Sequence, residues 1–313
     1  MAIKGTAYRN KDKRNTKGPH IITTTIEHPA VLEACRHLEK QGFTIAYLPV
    51  DTDGLVDPEK LKTTIGPNTF LVSIMYANNE IGTIEPIKEL VDIAHEHDIL
   101  FHTDAVQAVI KVPIDVKKIP IDFLALSSHK IYGPKGIGAM YIRKGTTIEP
   151  LMHGGGHEGG LRSTTYNIPG VVGLGTACEI ARKNMDNEIH HMKKLRDLLI
   201  KNLSTIEKSH LNGHPTKRLV NNAHFRFKGI EGESLLLSLD EKGIAAATGS
   251  ACSSKKLHAS HVLTAIGLDA VESQGSIRLT VGRFNTEQEI KYTLEQFPQI
   301  VNKLRQLSPL WED

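Results

Sequence analysis

The stretch Asp122–Gly138, DFLALSSHKIYGPKGIG, carries an apolar run into a lysine set between polar residues and a turn rich in glycine and proline. Phe123–Leu126 reads as a buried strand, which places Ser127, Ser128, His129 and Lys130 at its carboxyl end, where open α/β sheets bind ligands. Burial there, beside an imidazole, favours the neutral form of an amine, and a neutral amine forms Schiff bases with carbonyl compounds. Pyridoxal phosphate fits such a lysine. Taken alone, the stretch also reads as a surface lysine at a strand-to-loop corner.

Other reactive groups lie at similar corners. The strand Ile99–Asp104 ends in a carboxylate with Gln107 three residues on. An acid there would keep a pyridine nitrogen protonated so that the ring withdraws electrons, and Gln107 would serve the ring oxygen. His28 falls in a strand-to-helix loop, where it either stacks on a flat cofactor or is satisfied by the helix start. Asn78 and Asn79, after the apolar run Phe70–Met75, either shape the loop or bond a phenolic oxygen. Arg278, inside the strand GSIRLTV, matches a carboxylate bidentately, from substrate or from a structural ion pair. Cys252 sits among small polar residues in ATGSACSS, and Lys255 and Lys256 favour its thiolate. Cys35 shares a helical face with Val31 and Leu38, and Cys178 lies on the apolar part of a later helix; both read as packing residues. Arg162, Ser163, Thr164 and Thr165 are available to an anion. Gly133–Gly138 lacks the spacing of a nucleotide loop, and His153 and His157 lack a third ligand, so no metal site is expected.

The elements that must hold these groups alternate. Strands at His20–Thr25, Phe43–Leu48 and Phe70–Met75 interleave with helices at Pro29–Gly42, Pro58–Ile65 and Pro86–His97. That order predicts an α/β fold, a mainly parallel sheet with helices on both faces, in a large domain spanning 1–185. A long helix from Pro169 to about Thr205 has a charged middle suited to linking domains. From 186 to 313, shorter elements (Ala223–Phe227, Gly232–Lys242, Lys256–Gly267, Thr286–Gln306) predict a smaller α+β domain that carries the Cys252 loop.

The 313 residues, 40% hydrophobic and 23% charged, suit a two-domain globular enzyme. A formal net charge of +3 is too small to point to nucleic acid or an anionic membrane as partner. No apolar stretch reaches bilayer-spanning length, the start lacks a secretory core, and three cysteines without paired spacing read as reduced thiols, so a cytoplasmic location is expected.

Taken in order, TTIEHPAV, MYANNEIGTIEPI, FHTDAVQA, SSHKIYGPKG, GSACSS and GSIRLTVGRF resemble the NifS/IscS-type cysteine desulfurases, class V aminotransferase-like pyridoxal 5'-phosphate enzymes of fold type I. The resemblance covers nearly the whole chain. It implies that Lys130 is the Schiff-base lysine, His28 stacks on the pyridine ring, and Asp104 partners its nitrogen. Gln107 and Asn79 are then expected around the ring oxygen and substrate, and Ser127, His129 and a neighbouring subunit's Thr165 at the phosphate. Arg278 becomes the clamp for the substrate carboxylate. Cys252 becomes the catalytic cysteine, taking sulfur from L-cysteine as a persulfide, releasing L-alanine, and passing sulfur to an acceptor such as an iron–sulfur scaffold protein or towards tRNA thiolation. A homodimer is implied, and GSACSS resembles the NifS/IscS group with its longer cysteine loop.

Three departures qualify that reading. In the family, Met1-Ala2-Ile3-Lys4-Gly5 follows a small-residue loop ending in Ala-Thr that offers backbone N–H groups to phosphate, so the chain reads as N-terminally truncated relative to relatives. Thr164 stands where relatives usually have glycine, and Lys255-Lys256-Leu257-His258 is more basic than usual. The first departure keeps open a non-catalytic fragment or sulfur-carrier partner, and the fold alone would also serve a selenocysteine lyase or aminotransferase.

Overall fold

Strands covered on both faces need apolar side chains at successive positions, and Ile21, Ile22, Leu71, Val72, Phe101 and Phe123 meet that need with no more than 0% exposure. A computed structural model describes residues 1–11, 18–248, 259–309 and 311. These divide into two units: Met1–Val50, Val56–Asn78 and Glu85–Asn184 form the first, and Asp51–Leu55, Asn79–Ile84 and Met185–Asp313 the second.

The first unit contains α1 (Ala2–Arg9), β1 (His20–Thr24), α2 (Pro29–Glu39), β2 (Thr44–Leu48), α3 (Pro58–Thr64), β3 (Thr69–Ser73), α4 (Ile87–Glu96), β4 (Leu100–Asp104), β5 (Phe123–Ser127), β6 (Gly138–Ile142) and the first part of α5 (Ile168–Leu203). The strand order is β2-β1-β3-β4-β5-β6, with β6 antiparallel to β5 and every other pair parallel. The chain leaves β1 to one side for β2 and returns on the other for β3, a topological switch that opens a crevice at the strands' carboxyl ends. Apolar periodicity does not reveal β6, because it begins with glycine. A Cβ on Gly138 would lie 2.6 Å from the Leu126 carbonyl oxygen, so glycine is what lets β6 pair with β5. Helix α1 is likewise hidden by its mixed sequence, AIKGTAYR, although Ala2, Ile3 and Ala7 are buried. Cys35 is buried with Val31 and Leu38 as expected, whereas Cys178, expected to pack, is exposed, because Ala177 and Ala181 occupy the buried side of this part of α5.

After β4 the backbone of Ile110 adopts φ 65°, a region that β-branched side chains occupy only under strain. Its side chain is nonetheless buried against Ile131, Ala177 and Ala181. Replacing it by alanine removes the packing and keeps the strain; glycine removes both. Left-handed strain is of the order of 1–2 kcal/mol, more than the roughly 0.8 kcal/mol of the additional methyl group. Ile110→Gly is therefore expected to unfold at higher denaturant concentration than Ile110→Ala, both below the parent protein. The reverse order in urea titrations would show that the turn is unstrained.

In the second unit, β7 (Ser209–Leu211), β8 (Asn222–Phe227) and β9 (Ser276–Thr280) form an antiparallel sheet, accompanied by α6 (Gly232–Asp240), α7 (His261–Ala265), α8 (Ala270–Gln274) and α9 (Glu287–Leu307). One sheet face sends Ala223, Phe225, Phe227, Ile277 and Leu279 into a core with Leu235, Leu239 and Phe297. Alternation along the strands puts Asn222, His224, Arg226 and Arg278 on the other face. The capping box Thr286/Glu289 starts α9. Helix α7 covers only the middle of the expected Lys256–Gly267 helix, whose first residues lie outside the described ones.

Candidate active site

In the first unit the parallel register sets Asp104, the last residue of β4, beside Ala125 of β5. The chain then leaves β5 at Ser127 and winds into a short 3-10 helix, Ser128–Ile131, that carries His129 and Lys130. Ile131 is buried, Tyr132 takes φ 66°, and Gly133 N–H donates to the Ser128 carbonyl at 2.9 Å, closing the turn. Glycine suits position 133, since a Cβ there would press on Ser128 Oγ and crowd Ala177 and the Ser128 carbonyl. Ser127 Oγ and His129 Nδ1 are hydrogen-bonded at 2.9 Å. Asp104 Oδ1 accepts from Val106 N–H at 2.9 Å. Burial pushes the Asp104 carboxyl above the usual range, opposed by that hydrogen bond and by nearby His28. His28 is the N-cap of α2, and its Nδ1 accepts from Ala30 N–H at 3.1 Å. Gln107 is half-buried in the turn after Asp104, and Thr165 is exposed just ahead of α5.

Lys130 differs from expectation in one respect: its side chain is exposed, because the 3-10 turn carries it past the strand end while Ile131 takes the buried place. The buried amine is Lys111, whose pKa is pushed down to about 8 by burial first and by Lys130 second. The donor set fits pyridoxal phosphate: a half-buried carboxylate for a ring nitrogen, a flat imidazole in its electrostatic reach, an accessible primary amine, and the Ser127–His129 pair for an anion. Ser128 Oγ adds a buried hydroxyl that has no hydrogen-bond partner among the described residues.

Glu27, which sequence patterning does not single out, ties this corner together. It is fully buried, and its Oε1 accepts from Thr24 Oγ1 at 2.9 Å and from Met75 N–H at 2.8 Å. Asn78 Nδ2 donates to the Ile26 carbonyl at 3.0 Å, so the loop bearing His28 is fastened to the end of β3. Burial, before any other influence, raises the Glu27 pKa from 4.5 to about 8. The folded protein therefore keeps a proton that the unfolded chain loses as pH passes 4.5, and stability falls as pH rises from there to about 8. Glu27→Gln, which cannot ionise, is expected to flatten that decline and to be more stable than the parent at pH 8.5 by an order of a few kcal/mol. Denaturant titrations at pH 5.5 and 8.5 check this, and an unchanged slope would show that Glu27 is ionised throughout.

The second unit holds Asn79 and Arg278. The backbone of Arg278 pairs with Ala247 through bonds of 2.6 and 3.2 Å, and its Nη1 donates to the Asn79 carbonyl at 2.9 Å. The next three carbonyls are also taken: Glu80 O by Asn222 Nδ2 at 2.8 Å, Ile81 O by Arg218 Nη2 at 3.1 Å, and Gly82 O by Leu219 N–H at 2.8 Å. The Asn79–Gly82 backbone is thus fixed along its length, and it brings Asn79 to Arg278. Arg218 follows Lys217 in KRLVNN, with nothing in the sequence to distinguish it. Cys252, with Lys255, Lys256 and His258, lies outside the described residues. Among the described residues no group of three or more His, Cys, Asp or Glu side chains is arranged to hold a metal, and no helix is long and apolar enough to cross a membrane.

The family model described as aminotransferase class-V matches residues 2–293. A cysteine desulfurase IscS from Methanosarcina thermophila is 56% identical over 309 residues, covering 99% of this chain and 76% of the relative. A protein of the same name from Dictyoglomus turgidum is 52% identical over 310 residues, covering 99% of this chain and 78% of its own. Among solved structures, a NifS-like protein superposes with a TM-score of 0.88 at 40% identity, covering 97% of this chain and 79% of that one.

Proposed function

This chain belongs to the class-V aminotransferase family and, within it, to the IscS/NifS-type cysteine desulfurases, and from that premise we propose how its own residues carry out the conversion of L-cysteine to L-alanine with transfer of sulfur. The observation that carries the proposal is the set of groups at the strand ends: Asp104 ending β4, His28 after β1, and Lys130 in the turn after β5. Asp104 would hold the pyridine nitrogen, His28 would stack on the ring, Gln107 and Asn79 would attend the ring oxygen and substrate, and Ser127, His129 and Thr165 would hold the phosphate. When bound, pyridoxal 5'-phosphate supplies the electron sink that weakens bonds at the amino acid's α and β carbons. Lys130 would anchor it and move the proton at the α carbon, Arg278 would orient the substrate carboxylate, and Cys252 would receive the sulfur.

The division of labour between a cofactor-binding region, 1–185, and a smaller region, 186–313, carrying Cys252 is part of the same reading. A homodimer is supported by exposed Ile168, Val171, Val172 and Ile180 along the first part of α5, an apolar patch of the kind that a partner covers. The acceptor would be an iron–sulfur scaffold or a protein feeding tRNA thiolation, and the compartment the cytoplasm, whose reducing milieu suits a thiol that cycles through persulfide. The test is the visible spectrum of the purified chain with added cofactor, before and after L-cysteine, with alanine quantified. A visible band that changes with cysteine as alanine accumulates is expected. Colourless protein and no alanine would refute the proposal.

A further inference from the structure

His224 lies in β8 directly across from Arg278 in β9, so the two side chains stand side by side on the sheet face that carries Asn222 and Arg226. The ring is fully buried. Asn212 Nδ2 lies 2.9 Å from its Nδ1, and since an amide nitrogen can only donate, Nδ1 accepts and the proton is on Nε2. Asn212 is fixed in turn, because its Oδ1 accepts from Arg226 Nη1. The remaining ring nitrogen, Nε2, has no hydrogen-bond partner among the described residues. Burial first, then Arg278, Arg218 and Arg226, push the ring's pKa down to about 3, so it is uncharged at neutral pH. Arg218 is spoken for by backbone carbonyls, while Arg278 uses Nη1 on Asn79 O.

We propose that His224 is a positioning residue for substrate: a neutral ring, locked by Asn212 and set among three arginines, that keeps the Arg278 guanidinium on the Asn79 carbonyl and so aimed at the amino acid's carboxylate. A carboxylate at position 224 would draw the guanidinium to itself, and a cation would repel it. The inference rests on the reading of Arg278 as the carboxylate clamp, and it adds the residue that sets the clamp's direction.

The test separates charge from shape. His224→Asn keeps an acceptor at the place of Nδ1 and stays neutral; His224→Asp differs from it by one charge. In the complete, cofactor-loaded protein, His224→Asp is expected to raise KM for L-cysteine at least about tenfold over His224→Asn, with kcat of the two within about threefold, since the clamp acts on binding. Equal KM values, or a loss confined to kcat, would overturn the proposal. Should His224→Asp not fold, Asn212→Ala releases the ring without adding charge: a raised KM at held kcat supports the proposal, and unchanged KM refutes it. Phenylglyoxal labelling of Arg278, read by mass spectrometry, needs no turnover. It is expected to be slower in His224→Asp than in His224→Asn, and equal rates would count against the proposal even if the parent protein made no alanine, an outcome that would instead sink the desulfurase reading.

Discussion

Lys130→Ala is expected to cut alanine formation from L-cysteine by at least about 10³-fold, which is about 4 kcal/mol of transition-state stabilisation. The side chain is exposed, at the end of a 3-10 turn held by Ile131 and by the Gly133–Ser128 hydrogen bond, so its removal leaves the turn intact. Stability should change by no more than about 0.5 kcal/mol, as for other surface substitutions. The loss then belongs to chemistry and not to folding. Lys130→Arg should be equally inactive, because a guanidinium keeps the charge but is neither a nucleophile nor a base near neutral pH. Borohydride trapping with peptide mapping locates the amine that captures pyridoxal phosphate. The adduct is expected on Lys130 in the parent protein. Lys111 is the informative competitor, a buried amine within electrostatic reach of Lys130 whose pKa of about 8 leaves a sizeable neutral fraction. Trapping on Lys111, or activity surviving in Lys130→Ala, would move the anchoring role from the turn to the buried lysine.

What could be read from residues alone follows the physics of each element. The buried parallel strands are legible because covering both faces demands unbroken apolar runs, and Phe123–Leu126 or Phe70–Val72 contain nothing else. Their carboxyl ends are legible for the same reason: polar residues begin where the covering stops, which is how Asp104 and Lys130 announce themselves. Strand β6 and helix α1 are not, since β6 depends on a glycine's close approach to Leu126 and α1 on contacts made far along the chain. The exposure of Lys130 and of Cys178 escaped because periodicity gives a face but not what covers it. Glu27 and His224 are buried polar residues, and a sequence shows neither the Met75 N–H that meets the one nor the Asn212 amide that meets the other. Groups defined by distant hydrogen-bond partners appear only with the fold.

Cys252→Ala should separate the two halves of the reaction. In the proposed transfer the Cys252 thiolate attacks the sulfur of bound L-cysteine: a sulfur–sulfur bond forms, the carbon–sulfur bond breaks, and its electron pair leaves with carbon, which gains a proton and becomes the methyl group of L-alanine. Every other group in the proposal, from Asp104 to Arg278, acts on the cofactor or on the amino acid and leaves the sulfur without an acceptor. Cys252→Ala is therefore expected to bind cofactor normally and to change its spectrum on adding L-cysteine, yet to make alanine at least about 10²-fold more slowly, some 2.7 kcal/mol. Cys252→Ser should match it, because an alkoxide is far less accessible than a thiolate at neutral pH. Cyanolysis of protein treated with L-cysteine should find persulfide in the parent and in Cys35→Ala and Cys178→Ala, and none in the two Cys252 variants. Cys35 is excluded by burial, which pushes its thiol up to about 12 and keeps it protonated. Cys178 is the demanding control, being exposed. Persulfide that persists in Cys252→Ala and vanishes in Cys178→Ala would transfer the acceptor role to α5. Unreduced alanine formation in both Cys252 variants would mean that sulfur leaves without a protein nucleophile, as the selenocysteine lyase or aminotransferase reading of the same fold would have it.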